Sequence, residues 1–207
     1  MSTGIIPDPA GGALRNDAPP QQNAALGGNK MRFDVMPVAT EKQISEIETT
    51  ANNVWHNYYK DIFSKEQINY MLDKYQSRTA LKKQIEDRNI YYMLLVDGEL
   101  AGYLCFKNHT DHIFISRLYI KAEFRRQGLA RRSISLFDTM VSGEEFKEIK
   151  KLRLHVERKN GFAINVYEHL GFRKVKAIDT DIGNGFICKD FVMERKINRE
   201  QGDNYGK

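Results

Sequence analysis

Two short stretches of the chain carry residue types spaced for chemistry. The first reads Arg125-Arg126-Gln127-Gly128-Leu129-Ala130, of the form R-x-x-G-x-A. It lies between a strand-like apolar run and an amphipathic helical pattern, so an anion bound there would meet the first turn of a helix. The leading N–H groups of a helix have no intrahelical partners, and the helix dipole favours negative charge at that end. Gly128 lets the backbone approach a diphosphate without a Cβ in the way, and Ala130 keeps the next turn thin. Arg117, Lys121, Arg125, Arg126, Arg131 and Arg132 crowd this segment against one carboxylate, Glu123. Guanidinium forks suit phosphate oxygens; a solvated basic helix end is the plainer account of the same charges.

The second stretch runs from Glu157 through Asn160, Ala163 and Tyr167 to Gly171-Phe172. Asn160, Ala163 and Tyr167 fall at i, i+3 and i+7, on one face of one helix. Asn160 is placed either to cap that helix or to meet a ligand. Tyr167 can equally be a buried residue with a satisfied hydroxyl or a working group.

Positioning these two stretches requires a strand before each and a helix after each. Residues 111–120 read as a strand leading into the glycine turn, and a helix follows to about 141 with Leu129, Ser133, Leu136, Phe137 and Met140 on one face. Residues 151–156 read as the next strand and 160–170 as the second helix, which Gly171 ends. Before them, residues 32–38 read as a strand. Thr40 with Gln43, and Ser64 with Gln67, are helix-start signatures for helices to about 59 and 75, and a short helix covers 80–87. Trp55, Tyr58 and Tyr59 share a face of the first helix, with Trp55 assigned to the core. Strands at 91–96 and 99–107 flank the hairpin signal Asp97-Gly98, and strands near 172–179 and 186–195 close the series. The expected fold class is α/β (α+β): a mixed sheet of about seven strands, with a crossover helix joining two of them.

Composition bounds the rest. With 207 residues, 41% hydrophobic and 29% charged, the chain suits one soluble domain. Residues 1–30, rich in Pro, Gly, Ala, Asn and Gln without apolar periodicity, read as a disordered N-terminal tail; 31–197 form the domain and 198–207 a flexible C-terminal tail. No apolar run is long enough to span a bilayer and no signal-peptide pattern opens the sequence, so the expectation is a cytoplasmic protein without a membrane partner. Cys105 and Cys188 are too few for a disulfide framework or a zinc cluster, and no metal is expected. The net charge of +5 suits nucleic acid, a membrane surface or an anionic small ligand alike, and the balanced charges of the first thirty residues argue against a nucleic-acid arm.

Taken together the two motifs resemble the GNAT superfamily of N-acetyltransferases, over about residues 31–197 and most specifically over 113–172. The resemblance implies a GNAT-type twisted sheet flanked by helices, with acetyl-coenzyme A as co-substrate and an amine as acceptor. It implies that Leu118, Tyr119 and Ile120 pair with the pantetheine arm like an added strand. Arg125, Arg126, Gln127, Gly128, Leu129 and Ala130 would cradle the pyrophosphate, Asn160 would touch the cofactor, and Tyr167 would lie near the thioester sulfur. Gln67-Ile68-Asn69-Tyr70-Met71-Leu72 and Asp181-Ile182-Gly183-Asn184-Gly185-Phe186 are similar to members near the polyamine acetyltransferases. The acceptor is therefore a polyamine or other small amine, or alternatively a protein lysine or N-terminus. A non-catalytic module sensing coenzyme A or binding nucleic acid is the rival from another class, and a homodimer is compatible with the family.

Direct attack by a neutral amine in a ternary complex needs a proton acceptor, a strand N–H near Leu118 or Tyr119 for the oxyanion, and a donor to the leaving thiolate, for which Tyr167 is the candidate. Many relatives carry a carboxylate on the strand where this sequence has Phe114 or Ser116, neither of which accepts a proton. His112, His155, Glu157 or a water chain are the alternatives for the base.

Overall fold

The computed structural model describes residues 31–141 and 143–198. The expected tails at 1–30 and 199–207 lie outside them; Asn198, at the start of the expected C-terminal tail, donates its N–H to Asp138 Oδ1 at 3.1 Å. Seven strands form one sheet: β1 Phe33–Pro37, β2 Ile90–Val96, β3 Glu99–Asn108, β4 His112–Ile120, β5 Lys151–Glu157, β6 Arg173–Gly183 and β7 Phe186–Lys196. Their order across the sheet is β1-β2-β3-β4-β5-β7-β6. Every neighbouring pair is antiparallel except β4 and β5, which are parallel and need the crossover through a helix. This is the mixed α/β architecture expected from the sequence.

Helices α1 Glu41–Tyr58, α2 Lys65–Gln76 and α3 Arg78–Glu86 cover one face; α4 Leu129–Met140 and α5 Gly161–His169 cover the other. Their starts are local. Thr40 and Gln43 exchange bonds as a capping box, Gln43 N–H to Thr40 Oγ1 at 3.3 Å and Thr40 N–H to Gln43 Oε1 at 2.9 Å, and Ser64 accepts from the Gln67 N–H at 3.2 Å. The α1 to α3 side buries Ile47, Trp55, Tyr59, Met71 and Leu81 against the sheet, which places Trp55 in the core. On the α4 side the buried stripe is Leu129, Ala130, Ser133, Ile134, Phe137 and Asp138. Leu136 and Met140, expected within it, are only half-buried, because the stripe leans toward Ile134 and Asp138, where Asp138 pairs with Arg195 at 2.7 Å.

β6 continues four residues beyond its expected end, to Gly183. The extension is closed by Asn184 and Gly185, both at positive φ (55° and 74°), the geometry of a two-residue hairpin turn. The hairpin leans on α2, where Tyr70 Oη donates to the Ile182 carbonyl at 2.6 Å.

Two features of β4 open the middle of the sheet. Opposite β3, Cys105 faces Arg117 while Phe106 faces Ile115, so Ser116 is the extra residue of a bulge. A bulge bends its strand and sharpens the twist. The parallel pairing of β4 with β5 stops at the same place, with Ile115 opposite Leu154 as the last pair. Beyond it β4 stays with β3, held close by Gly102, where a Cβ would lie 2.1 Å from the Tyr119 carbonyl oxygen. β5 stays with β7 as far as Glu157. The two central strands part like a V.

Candidate active site

Beyond Ile115 the ladder of β4 is with β3, so the Leu118, Tyr119 and Ile120 end of β4 borders the opening. A strand edge where a ladder ends is a template for another extended chain. All three residues are buried. From Ile120 the chain runs through Lys121 and the 3-10 turn Ala122–Phe124 into the glycine segment. Arg126 and Gly128 both sit at positive φ, 61° and 74°, which turns the loop and sets Gly128 as the N-cap of α4. No side chain caps this helix, so its leading N–H groups are left for another acceptor, and the space where a Gly128 Cβ would stand is open. A cavity of about 330 Å³ lies against this loop, walled by Ile120, Arg125, Arg126, Gly128 and Ala130 on one side and by Phe162, Asn165 and His169 of α5 on the other. An uncapped helix start at left-handed glycine, opening on a cavity, fits a diphosphate.

The basic census divides once folded. Arg125 turns inward: its Nε donates to the Ile120 carbonyl at 3.0 Å, and its guanidinium lies 4.9 Å from the Tyr58 ring centroid. Arg132 leans away onto Phe33 at 4.6 Å. Arg117 is only 1% exposed and points to the α1 to α3 side, donating to the Tyr75 carbonyl at 3.2 Å. It belongs to the core and not to the anion site. Gln127 is exposed, and its side-chain nitrogen donates to the Glu123 carbonyl at 3.2 Å.

Asn160 is the N-cap of α5, its Oδ1 accepting from the Ala163 N–H at 3.1 Å. The same oxygen accepts from Tyr58 Oη at 2.8 Å, tying the end of α1 to the start of α5 across the opening. The Asn160 side-chain nitrogen is buried without a partner. Tyr167 is fully buried, and its hydroxyl has no partner either; the same is true of Tyr59. Such orphaned groups cost free energy and call for an explanation. Tyr167 comes from the α4 and α5 face and Tyr58, Tyr59 and Tyr119 from the other, and each makes ionisation of its neighbours harder across the opening. Burial, then Tyr119 and Tyr58, push the Tyr167 hydroxyl well above its ordinary value, so it stays protonated.

The candidates for the base separate clearly. His112 starts β4, at the end remote from the opening, bonded to Asp111 at 2.6 Å and stacked on His109. His155 lies just past the last parallel pair against Phe114, its ring centroid 4.9 Å away. Burial, followed by Arg153 and His112, lowers it to about 4, which makes it a weak base. Glu157 ends β5 and accepts from the Lys159 and Lys189 N–H groups at 3.3 and 3.2 Å. Sequence reasoning does not find Asp190, directly opposite on β7: 33 residues separate the two in sequence, and nothing local marks the pair. The bulge at Ser116 and the bond from Tyr58 to Asn160 are equally silent there. Among the described residues no group of His, Cys, Asp and Glu could hold a metal, and no helix is long and apolar enough to cross a membrane.

This geometry, a mixed sheet opened between two parallel strands with a glycine-led helix start at its mouth, is that of an acyl-group transferase. The model of the acetyltransferase (GNAT) family matches residues 51–172, and the chain belongs to that family of transferases using acetyl-coenzyme A. No curated protein matches the chain. Among solved structures it is similar to the PaiA N-acetyltransferase from Thermoplasma acidophilum in complex with coenzyme A, with 23% identity, 80% of this chain and 99% of that one covered, and a TM-score of 0.65. It is also similar to a chimera of the spermidine N-acetyltransferase SpeG from Vibrio cholerae (17% identity, 79% and 95% covered, TM-score 0.57). A third similar structure is the ribosomal-protein alanine N-acetyltransferase from Escherichia coli (17% identity, 81% and 95% covered, TM-score 0.56).

Proposed function

We propose that the chain transfers acetyl from acetyl-coenzyme A to a primary amine by direct attack in a ternary complex, and that the acceptor is a polyamine or other small amine. The observation that carries this reading is the parting of β4 and β5 after Ile115 and Leu154, with orphaned donors beside the gap. When bound, the thioester supplies the activated acetyl group.

In this reading Leu118, Tyr119 and Ile120 offer the backbone edge that borders the opening to the pantetheine arm, as an added strand would be taken. The backbone N–H groups of Arg126, Gln127, Gly128, Leu129 and Ala130 hold the pyrophosphate, with the α4 dipole behind them. Arg125 acts through Tyr58 and Ile120, shaping the loop, and the Asn160 side-chain nitrogen donates to the arm. A β4 N–H near Leu118 or Tyr119 stabilises negative charge on the acetyl oxygen. The Tyr167 hydroxyl donates a hydrogen bond to the sulfur as it leaves. Raised above 10, it is a weaker acid than a free tyrosine, so full proton transfer runs in step with loss of the amine proton.

The similarity to spermidine and PaiA acetyltransferases supports a small amine, and that to the alanine N-acetyltransferase supports a protein N-terminus. Cytoplasmic residence and a single domain over 31–197 are parts of the same proposal. The test is free-thiol release from acetyl-coenzyme A with polyamines, amino acids, aminoglycosides and peptides. Turnover above the no-amine background with a small amine is expected. Turnover only with peptides moves the acceptor to protein, and tight cofactor binding with no turnover on any amine overturns the enzyme reading in favour of a sensor.

A further inference from the structure

Glu157 and Asp190 face each other across the β5 and β7 ladder, on the sheet face covered by α1 and α2. Directly opposed residues of an antiparallel pair bring their Cβ atoms to about 5 Å, and like charges there are destabilising. Asp190 is only 1% exposed, and neither of its carboxylate oxygens has a hydrogen-bond partner. A buried carboxylate left unpaired is among the most costly arrangements a fold can hold. The neighbours do not relieve it. Glu157 is itself buried, and Ile178 of β6 is the residue opposite Asp190 on the other side. Cys188, two residues before Asp190, has its thiol pushed up to about 12 by burial, then by Asp190 and Glu157. Arg158 is the cation that acts on Asp190; its terminal nitrogen is held by an ion pair with Asp179 and by the Ile178 carbonyl at 3.2 Å, while its Nε is buried without a partner and makes no hydrogen bond to Asp190.

Glu157 also borders the opening. Glu157 is the last residue of β5 along the open side of the V, and its carbonyl accepts from the Asn160 N–H at 2.9 Å. Cys188 belongs to the same buried cluster as Tyr59 and Tyr119. The corresponding stretch of β4 offers Phe114 and Ser116, with no proton acceptor.

We propose that the Glu157 and Asp190 carboxylates receive the acceptor as a primary ammonium and that Asp190 takes its proton before attack. This rests on the acetyl-transfer reading. The ammonium N–H proton passes to a carboxylate oxygen of Asp190 and leaves a neutral amine with a free lone pair. That lone pair forms the C–N bond to the acetyl carbon as the C–S bond breaks. A second proton leaves the amine nitrogen and ends on the sulfur, and the proton on Asp190 is released to solvent, one per turnover. Burial first, and Glu157 second, raise Asp190 to about 7 against the opposing effect of Arg158, which suits a base working near neutrality.

The experiment measures thiol release between about pH 5 and 9 on an amine that the parent acetylates, for Asp190→Asn and Glu157→Gln, with acetyl-coenzyme A affinity by calorimetry and melting temperature alongside. Asp190→Asn should lower kcat roughly tenfold to a thousandfold and erase the acid limb near pH 7, with cofactor affinity unchanged. Glu157→Gln should move that limb to lower pH, because the lost charge no longer raises Asp190. The folded-state value of Asp190 lies above its ordinary 3.8, so its ionisation works against folding as pH rises through about 7. Asp190→Asn should therefore melt higher than the parent at alkaline pH, with the gap closing in acid. An unchanged rate and acid limb in Asp190→Asn, an unshifted limb in Glu157→Gln, or a lower melting temperature in Asp190→Asn would each overturn the proposal while leaving acetyl transfer standing. A parent that acetylates no amine overturns both.

Discussion

Replacing Tyr167 by phenylalanine separates a working hydroxyl from a packed one. The ring is fully buried and lies 5.7 Å from Phe172, centroid to centroid, at a steep angle; phenylalanine keeps this contact. The hydroxyl has no hydrogen-bond partner, so its removal breaks no bond in the free protein. Leaving such a group buried costs about 1 to 3 kcal/mol. Tyr167→Phe should then be at least as stable as the parent, with a melting temperature higher by a few degrees, at about 2 to 4 °C per kcal/mol for a chain of this size. If the hydroxyl supports the leaving sulfur, kcat should fall by roughly tenfold to a thousandfold with little change in acetyl-coenzyme A affinity. Thermal unfolding, calorimetry and thiol release on one preparation decide the matter. A loss of stability with turnover intact would refute the assignment, since it would mean the hydroxyl holds a structural partner.

Gly128→Val should abolish acetyl-coenzyme A binding in calorimetry and also lower stability by about 1 to 3 kcal/mol, because a β-branched residue is forced to φ 74°. Binding like that of the parent would remove the loop from the phosphate site. Tyr58→Phe loses the 2.8 Å bond to Asn160 while keeping its ring under Arg125; about 1 kcal/mol of stability should go, and cofactor affinity should weaken because Asn160 is freed to turn. Unchanged affinity would show that the α1 to α5 link plays no part in holding the arm. His155, lowered in the folded state from its ordinary 6.5 to about 4, contributes stability that is present above 6.5 and is lost as pH falls through 4, about 3 kcal/mol at most. His155→Gln should flatten the melting curve over that window, and an unaltered slope would contradict the burial argument.

What the sequence determined by itself is what depends on near neighbours. A helix start needs a side-chain oxygen three residues before a free N–H, so Thr40, Ser64 and Asn160 announce α1, α2 and α5 and are found capping them. The turn into α4 needs a residue at ease with positive φ, and Gly128 marks it. Alternation and helical period placed the strands and helices around these points to within a few residues. The gap between β4 and β5 could not be read this way, because a bulge exists only relative to a partner strand, and Ser116 is extra only once Cys105 and Phe106 have chosen Arg117 and Ile115. For the same reason Arg117 looked like part of a basic patch: strand parity, reset at the bulge, decides which face it takes. Tyr58 reaches Asn160 across 102 positions, and Glu157 meets Asp190 through the register of β5 on β7. Side chains that capping and period place separately are brought into one site by strand pairing, which is a property of the whole sheet and of no segment within it.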